Sequence, residues 1–131
     1  MAREFVAAAD RIVWTATDAR WNDLSAASIS FWIRILTTPA TQRWLLHCSN
    51  GTDSGFFVNL QGARQILATF PRSLNDTIRN STSVIPIGSQ WRHVGISWTG
   101  GLPSASILFY FNGVEEAGVG IAEGSGTRTV E

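Results

Sequence analysis

A chain of 131 residues, 44% hydrophobic and 15% charged, carries enough apolar material for one folded core and too little charge for a disordered polymer. Its ten basic residues, all arginine, cancel ten acidic ones, which removes the basic field needed for nucleic acid or an anionic lipid surface. The lone Cys48 excludes an internal disulfide framework, and no run approaches the roughly 20 apolar residues of a membrane helix.

The opening segment MAREFVAAAD breaks off at Asp10, before an apolar run of signal-peptide length. Residues 10–16 then predict a strand that includes Trp14. In residues 28–35 (SISFWIRI), Ile29, Phe31, Ile33 and Ile35 fall on one face, with Ser28, Ser30, Trp32 and Arg34 on the other. That alternation is the mark of a half-buried strand. Arg43–Cys48 predicts the next strand, closed by Asn50-Gly51. Residues 55–61 follow, with Phe56, Val58 and Leu60 opposing Phe57, Asn59 and Gln61. Residues 65–70 predict another strand, and residues 73–78 a polar loop bracketed by Arg72 and Arg79. Strands are expected again over 83–87 and 91–99, the latter with Val94, Ile96 and Trp98 on one face. A Gly/Pro-rich loop (99–104) leads to Ile107–Phe111, and Asn112-Gly113 suits a tight hairpin turn. Residues 114–119 could return beside that strand, whereas 118–131 read as loop. No window of eleven or more residues carries a helical stripe. Short strands and frequent turns predict one all-β, antiparallel sandwich across residues 1–131.

The run Trp91-Arg92-His93-Val94-Gly95-Ile96-Ser97-Trp98, followed by Phe109-Tyr110-Phe111-Asn112-Gly113, resembles the W-x-H-V-x-x-x-W and Y-x-N-G signatures of laminin-G/pentraxin-like domains, members of the concanavalin A-like lectin/glucanase superfamily. Ser28–Arg34 is similar to that family's S-f-W strand, and Gly55–Leu60 to its G-f-x-l-x-l strand. The resemblance implies a jelly-roll sandwich of two antiparallel sheets. It also implies that Trp32, Trp91 and Trp98 are packing residues and that His93 bonds across the sandwich. No closing strand of the family's type is recognisable in residues 118–131. The chain is therefore expected to be the N-terminal portion of a longer one, or to receive a strand from another molecule and so form a homo-oligomer or assembly.

No pair of carboxylates stands at the alternate spacing that glycoside hydrolysis on one strand requires, and adjacent Glu115 and Glu116 would face opposite sides. His93 and Ser97 are too far apart along a strand for a nucleophile–base contact, and His47 and Cys48 point to opposite faces. The expectation is a non-enzyme. Calcium, which relatives hold at the sandwich rim, has Asn50, Asp53, Asn75 and Asp76 as weak oxygen ligands; as turn residues they fit local hydrogen bonding better, so no cofactor is expected. Three N-x-[ST] triplets, at Asn50, Asn75 and Asn80, fit chance occurrence in a Ser/Thr-rich chain.

Six tryptophans remain, and aromatic rings stack on the apolar faces of sugars. Trp21, in a polar stretch, and Trp44, beside Arg43, are the expected exposed ligand-binding aromatics, with Arg72 a further candidate for gripping an anionic group. The reading is a non-catalytic binding or adhesion module for carbohydrate or a protein surface. The alternative is a structural jelly-roll component of an assembly, such as a phage or viral surface protein, with no small ligand. The resemblance implies an extracellular or virion-surface setting, with no nucleic acid partner and no membrane insertion.

Overall fold

A computed structural model describes residues 25–48 and 55–127. The strand expected at 10–16 and the Asn50-Gly51 turn lie outside them. Among the described residues, nine strands form two antiparallel sheets: β1 (Ala27–Ile33), β2 (Arg43–Cys48), β3 (Phe56–Leu60), β4 (Ile66–Phe70), β5 (Thr77–Ser81), β6 (Arg92–Trp98), β7 (Ile107–Phe111), β8 (Val114–Glu116) and β9 (Gly118–Ala122). The four-stranded sheet has the order β1-β6-β7-β8, and the five-stranded sheet β2-β3-β4-β5-β9.

The period-two pattern sets which faces meet. Val94, Ile96, Trp98, Ile107 and Phe109 of one sheet are buried against Phe56, Val58, Leu60, Ile66, Ala68 and Phe70 of the other, with Ile29, Phe31 and Ile33 packed at the margin. The Phe70 and Trp98 rings stack at 4.3 Å and 21° across the interior. Asn112 (φ 53°) and Gly113 (φ 82°) both adopt the left-handed backbone of a two-residue hairpin, which brings Val114 opposite Phe111. Gly100 combines φ 82° with a close approach: a Cβ there would lie 1.8 Å from the Ser25 carbonyl oxygen, so only glycine closes this loop.

Three expectations are corrected. Residues 83–87 form no strand. Pro86 supplies no ladder donor, and the segment crosses from one sheet to the other, touching down at the buried Ile85 and at an isolated parallel bridge between Ile87 and Ile35. Conversely, β5 begins inside the stretch read as a polar loop (73–78) and runs past it to Ser81. Its inward residues are Thr77 and Ser81, whose hydroxyls replace apolar packing with hydrogen bonds: Ser81 Oγ accepts from the Ile66 amide at 3.0 Å, and Thr77 Oγ1 accepts from Arg72 Nε at 3.1 Å. Finally, residues 118–122 are not loop. They form β9 along β5, with Asn80 opposite Val119. A Cβ at Gly118 would meet Arg79 Nε at 2.4 Å, so a larger residue there would have to displace that side chain.

Past β9, Glu123 accepts hydrogen bonds from the Ser104 amide (2.5 Å) and Ser104 Oγ (2.6 Å), tying the new edge to the β6–β7 loop. The Ser104 hydroxyl bond, then its amide bond, and last the charge of Arg79 hold the Glu123 carboxyl below its ordinary value of 4.5. A depressed folded-state pKa stabilises fully above the unfolded value and is lost as pH falls through the folded one. In urea titrations Glu123→Gln is therefore expected to be less stable than the parent at neutral pH, with the gap closing below pH 4.5. A gap independent of pH would contradict this.

Candidate functional site

The outward residues of β1, β6 and β7 form cross-strand rows on the exposed face of the four-stranded sheet. Register places Trp32 opposite His93, and Ser28 opposite Ser97. Ser30 lies opposite Gly95, which in turn faces Tyr110, and Tyr110 faces Glu115. Beyond Trp32, the Arg34 guanidinium lies 5.3 Å from the centre of the Trp91 ring. Gly95 keeps the middle of this face low, since a Cβ there would press on Tyr110 Cβ at 3.3 Å. The result is a shallow trough of about 330 Å³ lined by Ser28, Ser30, His93, Gly95, Ser97 and Tyr110.

Trp32 is 63% exposed and Trp91 43% exposed, so neither packs in the core; only Trp98 of the three motif tryptophans does, at 2%. The correction has a simple cause. Alternation had already put Trp32 on the face opposite Ile29, Phe31 and Ile33, and the strand obeys its own period rather than the motif. His93 is corrected in the same way. It does not bond across the sandwich; its ring lies outside, 5.2 Å from Trp32 and tilted by 58°. The tilt sets the imidazole at an angle to the indole rather than flat on it. The outward set Ser28, Ser30, Trp32 and His93, Gly95, Ser97 was readable from period two alone; that Tyr110 joins it depends on the β6–β7 register.

The named candidates sit elsewhere. Trp21, Asn50 and Asp53 lie outside the described residues. Trp44 is 58% exposed, but on the five-stranded sheet. A bulge between Trp44 and Leu46 shifts the period so that Trp44 and His47 share a face. His47 stacks on Trp44 at 5.3 Å and 27°, and Phe57 meets both rings edge-on. One face of the Trp44 indole is thereby occupied. Arg43 donates to Thr41 Oγ1 at 2.7 Å. Arg72 is not a free anion grip: it is 8% exposed and donates to Thr77 Oγ1 and to the Gly100 (3.0 Å) and Gly101 (3.3 Å) carbonyls. Asn75 donates to Ser125 Oγ, and Asp76 accepts from the Arg72 amide, so both side chains serve the rim turn. Among the described candidates, Arg43 and Trp44 on β2 do not converge with Arg72, Asn75 and Asp76 on one site.

Among the described residues no group of three or more His, Cys, Asp or Glu side chains could hold a metal ion. Glu115 borders the trough, whereas Glu116 accepts from Ser83 Oγ and Glu123 from Ser104. Burial raises the Cys48 thiol above its ordinary value, away from the reactive thiolate form. No helix of the described residues is long and apolar enough to cross a membrane.

No curated protein and no solved structure matches the chain significantly. A family model does, over residues 9–129, nearly the whole sequence: Laminin_G_3, described as concanavalin A-like lectin/glucanases superfamily. With two antiparallel sheets around one apolar interior and a family match of that extent, the chain belongs to this laminin G-like family of the concanavalin A-like lectin/glucanase superfamily.

Proposed function

We propose that the protein is a non-catalytic binding module that takes carbohydrate on the outer face of the four-stranded sheet. The observation that carries this reading is the exposure of Trp32 beside a shallow trough whose lining includes Ser28, Ser30, Ser97 and Tyr110. A large indole turned to solvent on a sheet face marks a contact surface. Its plane can stack on the C–H face of a pyranose, while Ser28, Ser30, Ser97, Tyr110 and the His93 ring supply donors and acceptors for sugar hydroxyls. Hydrolysis would need a second carboxylate beside Glu115 on this face, and retaining or inverting cleavage alike requires the pair. On this reading the module holds its ligand without cutting it, and calcium takes no part. Its working place is where glycans are displayed, outside the cell or on a virion surface.

The second reading, a component of an assembly, is favoured by β9, an edge strand among the described residues that bears exposed Val119 and Ile121 and no charge. A glycan array probed with the wild-type chain and with Trp32→Ala, each with and without EDTA, tests the first reading. The expected result is binding insensitive to EDTA and weakened about tenfold or more by Trp32→Ala, a loss of roughly 1.4 kcal/mol. Unfolding free energy should stay within about 0.5 kcal/mol of the parent, as for other surface substitutions. An array with no bound glycan, together with a defined oligomer in light scattering, would instead favour the assembly.

A further inference from the structure

We propose that the ligand is an extended, uncharged oligosaccharide that bridges two aromatic platforms, Trp32 on β1 and Tyr110 on β7, across the low floor made by Ser30 and Gly95. The inference rests on the carbohydrate reading and adds the length, shape and charge of the chain that is bound.

Length follows from the register. Trp32 lies two strands and one cross-strand row away from Tyr110, because Ser30, Gly95 and Tyr110 form the row next to Trp32 and His93. Sheet spacing and strand rise then separate the two Cα atoms by about 12 Å. A single pyranose reaches one platform only. Several linked rings reach both, and the second contact gains from the first through effective concentration.

Shape follows from the floor. Gly95 has no side chain, Ser30 is small, and the trough between the platforms is shallow and open. A ribbon-like chain with equatorial linkages can lie flat there and present ring faces to both aromatics. A tightly coiled glycan could not touch both at once. The charge preference follows from what stands at the two ends. Arg34 lies beyond Trp32, over Trp91, and Glu115 stands opposite Tyr110, while among the described residues no charged side chain lines the trough between them. A polyanion would meet Glu115 and a polycation would meet Arg34; a neutral chain meets no like charge.

The test is isothermal titration of the full chain with glucose through cellohexaose, with N-acetylglucosamine through chitohexaose, and with a galacturonic acid hexasaccharide as the charged control. At least one neutral series is expected to gain about tenfold or more in affinity between the monosaccharide and the hexasaccharide. Trp32→Ala and Tyr110→Ala should each remove that gain. Ser30→Trp, an exposed change that plugs the floor and leaves both platforms in place, should do the same, and it carries the test if Tyr110→Ala fails to fold. Equal affinity for the monosaccharide and its hexasaccharide would overturn the bridging ligand and leave the carbohydrate reading standing. So would a hexasaccharide affinity that Ser30→Trp leaves unchanged. Equal binding of the galacturonic hexasaccharide would overturn the preference for a neutral chain. Failure of both neutral series to bind at all would overturn the inference and the carbohydrate reading together.

Discussion

Replacing Trp98 by alanine is expected to lower the unfolding free energy by about 3–5 kcal/mol, the range for deleting a fully buried aromatic side chain. The indole joins the two sheets by stacking on Phe70. It also donates from Nε1 to the Gly101 carbonyl at 3.2 Å and lies under the Arg72 guanidinium, 5.6 Å from its ring centre. Alanine leaves a cavity beside Phe70, whose remaining ring contact with Phe56 resists its moving to fill the space. Urea unfolding followed by far-UV circular dichroism measures the loss. A change below about 1 kcal/mol would mean that the interior collapses around the site, against the packing described here. The contrast with Trp32→Ala is the useful part: the same substitution is expected to cost stability at Trp98 and ligand affinity at Trp32.

The second large effect is expected at Arg72. Arg72→Met keeps much of the apolar stem and removes the guanidinium that links the β4–β5 loop to the β6–β7 loop through Thr77, Gly100 and Gly101. Charge-assisted hydrogen bonds to buried groups contribute about 1.5–3 kcal/mol, so a loss of roughly 2–4 kcal/mol is expected for the set. Arg72→Lys should recover only part of it, since a point-like ammonium cannot reach a hydroxyl and two carbonyls in the fork geometry of arginine. Arg72 and Trp98 share Gly101, so the double substitution should cost less than the sum of the single ones. Full recovery by lysine would show that only the charge matters at this rim.

In several runs rich in aromatic and branched apolar residues, local reading and structure agree. Ile107–Phe111 and Arg43–Cys48 form strands with the expected bounds, and Asn112-Gly113 turns as its backbone preference requires. The failures share one trait: a partner far along the chain supplies what the local pattern lacks. β5 buries hydroxyls because Arg72 and the Ile66 amide satisfy them. In β9, Arg79 occupies the space beside Gly118, and Ser104 and Glu123 that beside Gly120. Residues 83–87 look like a strand but connect the two sheets.

The candidate site divides in the same way. Period two alone placed Ser28, Ser30 and Trp32 on one outward face and His93, Gly95 and Ser97 on another. It could not say that these two faces lie side by side, because pairing of β1 with β6 joins residues 59 to 71 positions apart. Nor could it remove Arg72 from the set of free cations, since the carbonyls that occupy its guanidinium come from the β6–β7 loop. Alternation is a property of neighbours along the chain and determined the two-layer β class of this protein by itself. Which outward residues share a surface, and which polar groups remain available to a ligand, are properties of neighbours in space, and only the paired sheets decided them.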